Sequence, residues 1–170
     1  MSEFSRQFDL RHLPSETVAL EASEEECAAL AGRFDLVRVD ALAASLRFET
    51  EVSAVLAKGR LKAAIVQSCA VSGEDLPVAI DEPLALRFVP PGKADGGDEI
   101  ELDEAELDEI EMSPQGAFDL GEALAQSLAL AIDPYAVGPG AEEARRKAGI
   151  VDQEANGPFA ALAALKGKGL

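Results

Sequence analysis

Leu42-Ala-Ala-Ser-Leu-Arg-Phe-Glu-Thr-Glu-Val-Ser-Ala-Val-Leu56 alternates apolar and polar side chains along its length. Leu42, Ala44, Leu46, Phe48, Val52 and Leu56 share one face, and Ser45, Arg47, Glu49, Glu51 and Ser53 share the other. Successive side chains of an extended chain point to opposite faces, so this pattern predicts a half-buried antiparallel strand. Lys58-Gly59 reads as a turn after it. Leu61, Ala63, Ile65, Cys69 and Val71 then resume the alternation, which predicts a hairpin. A second turn at Ser72-Gly-Glu-Asp75 leads to Val78, Ile80, Leu84, Leu86 and Phe88, with Pro83 suited to an edge or a bulge. The reading is an α+β fold: an antiparallel β meander with helices packed on one face.

Outward from the meander, Ser23-Glu-Glu-Glu26 is a capping box, in which Ser23 caps a backbone amide and Glu26 reaches back. Cys27, Leu30, Ala31 and Phe34 follow at helical spacing, ending near Gly32 to Asp35. Asp119 caps a second helix with Glu122 at its third position, and Leu120, Leu124, Leu128 and Ile132 make its stripe up to Asp133-Pro134. Between meander and second helix lies an acidic loop, about residues 93–111, with ten acidic and no basic side chains from Asp95 to Glu111; Leu107 to Met112 admits a short strand inside it. Residues 1–135 read as a single domain. Residues 136–170 read as a flexible tail, closed by an apolar patch at Phe159, Leu162 and Leu165.

Composition bounds the function. The 32 Asp and Glu against 15 Lys and Arg leave a charge of −17, a poor endowment for nucleic-acid affinity, which comes mostly from cations that release counterions. Such a charge serves solubility by itself, or steers a basic partner. No apolar run reaches the roughly 20 residues of a membrane span, and the start lacks the layout of a signal peptide, so a cytoplasmic protein with reduced thiols is expected.

The usual catalytic assemblies are not found. His12 is the only histidine, and Cys27 and Cys69 have no further ligand at metal-binding spacing, so no catalytic residue, metal site or cofactor is expected. Cys27 reads as a small core residue, with a reactive thiol as the alternative that its acidic neighbours oppose. Glu74 and Asp75 read as turn acids, and Asp95-Gly-Gly-Asp-Glu99 allows at most weak binding of a divalent cation. Nothing resembles a phosphate-binding glycine loop.

Several short motifs occur in a fixed order: Phe4-Ser-Arg-Gln-Phe8, Leu13-Pro14, Val55 to Gly59, Val66-Gln-Ser-Cys69, Phe118-Asp-Leu120 and Pro158-Phe-Ala-Ala-Leu162. In this order the chain resembles the YceD family, the large ribosomal RNA subunit accumulation proteins. Its alphaproteobacterial members look similar at Leu128-Ala-Leu-Ala-Ile-Asp-Pro-Tyr135 and at the stretch closing on Lys166. The resemblance implies a non-enzymatic factor supporting processing or accumulation of large-subunit (23S) ribosomal RNA, without small-molecule substrate. Many relatives carry a second cysteine after the strand, where this chain keeps only Cys69.

Two hypotheses follow. In the first, an acidic adaptor holds a basic ribosomal or assembly protein through Asp98, Glu99, Glu101, Asp103, Glu104, Glu106, Asp108 and Glu109, with ribosomal RNA touched indirectly. Gln67, Cys69, Glu74 and Asp75 mark a second candidate partner surface, against the simpler reading of a strand end entering a turn. In the second hypothesis RNA is bound directly by a basic tail, Arg145, Arg146 and Lys147, and a basic hairpin, Lys58, Arg60 and Lys62.

Overall fold

The computed structural model describes residues 2–92 and 108–149. In chain order its elements are β1 (Gln7–Asp9), β2 (Val18–Glu21), α1 (Glu24–Arg33), β3 (Arg38–Thr50), β4 (Val55–Ser68), β5 (Asp75–Val89), β6 (Asp108–Glu111), β7 (Ala117–Asp119), α2 (Leu120–Ala131) and α3 (Ala141–Lys147). A five-stranded sheet runs β2-β3-β4-β5-β6, and β1 and β7 form a separate antiparallel pair. The α+β meander is present, widened by β2 on one side and by β6, parallel to β5, on the other.

The hairpin turn differs from the expectation. Thr50 pairs with Val55, the chain reverses at Glu51 to Ala54, and Lys58 and Gly59 lie inside β4. The misreading has a physical cause: Val52, fully exposed in the turn, keeps the parity of the strand before it, so the alternation seems unbroken. Gly59 is in a strand because β3 passes so close that a Cβ would strike the Ser45 carbonyl oxygen and the Leu46 Cα. Pro83 sits on β5 where β6 does not reach, since β6 pairs only with Leu86 to Val89.

Both helix starts follow their sequence signals. Ser23 Oγ accepts from Glu26 N at 3.2 Å while Glu26 Oε2 accepts from Ser23 N at 2.8 Å, and Asp119 caps Glu122 N at 3.1 Å. Helix α1 ends with Asp35 at φ 53° and the Leu36 amide returned to the Ala31 carbonyl. The stripes of both helices and the inner face of the sheet enclose one core in which Leu30, Leu42, Leu46, Leu61, Ile65, Leu86, Leu124 and Leu128 are buried. Each such side chain contributes about 1.5–3 kcal/mol by burial. Phe88 stacks on Phe118 at 4.1 Å and Phe8 meets Phe48 at 5.2 Å, which ties the β1–β7 pair onto that core.

The chain divides into two compact units, Met1–Gln67 with Pro77–Asp133, and Ser68–Leu76 with Pro134–Leu170. Within the stretch expected to be a flexible tail, Ala141–Lys147 is helical, with Glu142 and Glu143 in its first turn and Arg145, Arg146 and Lys147 in its last, as the helix dipole favours. The apolar patch at Phe159, Leu162 and Leu165 lies outside the described residues.

Candidate functional site

The residues singled out around the second turn form a closed set of internal hydrogen bonds. Gly73, at φ 71°, lets the chain reverse after β4, and the Cys69 amide donates to the Glu74 carbonyl at 2.8 Å. The Cys69 Sγ accepts from the Ser72 and Gly138 amides, both at 3.3 Å. Hydrogen bonds from Ser72, then from the Gly138 backbone, favour the thiolate and bring the Cys69 pKa down to about 6. Glu74 Oε1 accepts from the Gly140 amide at 2.8 Å, and a Cβ on Gly138 or Gly140 would collide with the Glu74 carboxylate. Gly138 and Gly140 were legible only as punctuation, because their partner lies more than sixty residues away in sequence.

In the other unit, Gln67 is buried and its Nε2 donates to the Asp133 carbonyl at 2.7 Å, which fastens the end of β4 to the end of α2. Asp75 opens β5 and is exposed. The four residues Gln67, Cys69, Glu74 and Asp75 therefore sit at a strand end entering a turn, and three of them spend their polar atoms on this chain's own backbone. Cys27 is buried in the core, and burial, then the Glu26 charge, raise its pKa, which opposes reactivity.

Of the acidic block, Asp98, Glu99, Glu101, Asp103, Glu104 and Glu106 lie outside the described residues, as does the Asp95 to Glu99 loop. Asp108 is the first residue of β6, paired with Leu86. Glu109 accepts from Arg87 Nη1 at 2.6 Å, and Arg87 also reaches Glu51 at 2.9 Å. A residue read as an outward charge is thus half of an ion pair that bridges β5 and β6.

The basic hairpin is a strand face. Lys58, Arg60 and Lys62 alternate along β4 on the side opposite Leu61 and Ala63, away from any turn. Lys58 pairs with Glu49 at 3.0 Å, and Arg60 and Lys62 both approach Asp81, at 2.8 and 4.0 Å. Arg145, Arg146 and Lys147 close α3, where Lys147 pairs with Glu143 at 2.8 Å. Among the described residues no three His, Cys, Asp or Glu side chains group to hold a metal ion, and no helix is long and apolar enough to cross a membrane.

The described residues form an α+β domain with several ion pairs between its own side chains. The family model for the large ribosomal RNA subunit accumulation protein YceD matches residues 57–166, and the chain belongs to this family. Its role by family is in the accumulation of large-subunit ribosomal RNA. Neither curated proteins nor solved structures give a match to the chain.

Proposed function

We propose that the protein is a non-catalytic acidic adaptor, which holds a basic ribosomal or ribosome-assembly protein and so supports 23S RNA processing and accumulation. One observation supports this above the others: several of the chain's arginines are turned on its own carboxylates. Arg6 is taken by Glu26, Arg33 by Glu3 and Glu122, Arg38 by Asp40 and Arg87 by Glu51 and Glu109. With a charge of −17, the carboxylates left over present a surplus of negative potential to solvent. Such a field speeds the encounter with a basic protein and falls off beyond about 10 Å at 0.1 M salt. Of the polar groups gathered at the second turn, Glu74 and Gln67 are hydrogen-bonded within the fold, which favours scaffold over catalyst.

The test is association kinetics with a basic large-subunit ribosomal protein of the same host. Replacing Asp98 and Asp103 by Asn, and Glu99, Glu101, Glu104 and Glu106 by Gln, is expected to slow association by about tenfold at low salt. The thermal midpoint should stay in place. An unchanged association rate in the neutralised protein contradicts the adaptor.

A further inference from the structure

Four cationic side chains meet on the sheet face turned away from the core. Arg47 on β3 and Lys58, Arg60 and Lys62 on β4 all point opposite to Leu46, Leu61 and Ala63, and the register sets Arg47 directly across from Lys58. Like charges facing each other across two strands oppose folding, so this arrangement is no aid to stability. Among the described residues, the ion pairs here supply two carboxylates to these four cations. Glu49 serves Lys58, a single carboxylate, Asp81, serves both Arg60 and Lys62, and Arg47 Nε donates to the Thr17 hydroxyl at 2.9 Å. The side chains of Lys58, Arg60 and Lys62 are 50, 56 and 66% exposed. Ion pairs this open are worth about 0–1 kcal/mol and exchange readily for another anion.

The shape beside the stripe fits a chain. Next to Arg60 and Lys62 the surface dips into a groove of about 350 Å³ lined by the small side chains of Ala19, Ala43 and Ser45 and by Glu21. Alternate residues of a strand stand roughly 6.6 Å apart, close to the separation of successive phosphates in an extended nucleic-acid strand. Two of the four cations are arginines, whose fork matches a phosphate in two hydrogen bonds.

We propose that this outer face of β3 and β4 binds the phosphodiester backbone of single-stranded RNA. Arg47, Lys58, Arg60 and Lys62 contact the phosphates and the groove takes the riboses. No aromatic ring stands among these residues to stack on bases, so the contact tracks the backbone and carries no base preference. The residues of this surface are not those assigned to the basic partner, and the two contacts can be tested apart by substitution.

The experiment is fluorescence anisotropy of the full chain with labelled oligouridylate of roughly 12 nucleotides. Saturable binding is expected at low salt, with a log–log salt slope of at most about −3 for four phosphate contacts on a single strand. The combined variant Arg47→Gln, Lys58→Gln, Arg60→Gln and Lys62→Gln should lose about tenfold or more in affinity. Removing the counter-charges with Glu49→Gln and Asp81→Asn should tighten binding by about threefold, a gain that misfolding does not produce. Neutralising Arg145, Arg146 and Lys147 should leave binding unchanged. The proposal is overturned if the full chain fails to bind at low salt, if either variant leaves affinity as it was, or if polyglutamate competes as well as unlabelled oligouridylate.

Discussion

Arginine and carboxylate meet in two places with opposite consequences. On the helical side, Arg33 is held by Glu3 at 2.9 Å and by Glu122 at 2.7 Å, and Glu122 also accepts from Ser2 at 2.6 Å. These side chains are about 30% exposed, and the arrangement fastens the amino-terminal segment and α1 to α2. On the outer face of the sheet the ratio reverses, with two cations sharing Asp81 and more than half of each side chain in water. The same residue types therefore make a structural clasp in one place and an exchangeable surface in the other. What separates them is the number of carboxylates per cation and their exposure.

Gly59→Ala should disturb this contrast most, because its Cβ would meet the β3 backbone and force apart the two strands that carry the outer stripe. A loss of about 3 kcal/mol is expected, a drop of roughly 6–12 °C in thermal midpoint by calorimetry. Arg33→Ala comes next, at about 2 kcal/mol or roughly 4–8 °C, since it strands two partly buried carboxylates. Acid titration of stability probes the clasp from the other partner. Hydrogen bonds from Arg6 and Arg33 lower the pKa of Glu26 and Glu122 to about 2, from an ordinary 4.5. Their contribution is therefore complete above about pH 4.5 and is lost as pH falls toward about 2. Glu122→Gln should flatten that acid limb by about 1 kcal/mol, the figure allowing for solvent screening, in denaturant melts across this range. The smallest effect belongs to the outer face: Lys58→Gln or Arg60→Gln should change stability by no more than about 0.5 kcal/mol. A loss as large as that of Arg33→Ala would erase the distinction between clasp and surface.

The clasp and the stripe were unequally visible in the sequence. Capping at Ser23 and Asp119 is local, so both helix starts could be read directly, and the alternations from Leu42 to Phe48 and from Leu61 to Ile65 placed the inner face of the sheet. β1, β2 and β7 have three or four residues each, too few for a period to register, and were missed. Gly59 was misread as a turn because glycine signals both a turn and a close backbone approach. At the candidate site the residue types were found, but their partners were not. Arg60 meets Asp81, and Glu74 meets Gly140, only through strand register and chain return, which residue spacing does not encode. For that reason the hydrogen bonds that Gln67, Cys69 and Glu74 make within the fold could not be read from their spacing.

The adaptor reading rests on a direct protein contact, and a tagged pulldown from the native host tests it most directly. It is run at low and moderate salt, with and without RNase, and read by mass spectrometry. The account predicts one basic ribosomal or assembly protein that survives RNase and fades as salt rises. Recovery of ribosomal precursor particles that vanishes entirely on RNase treatment, with no basic protein left behind, would contradict it.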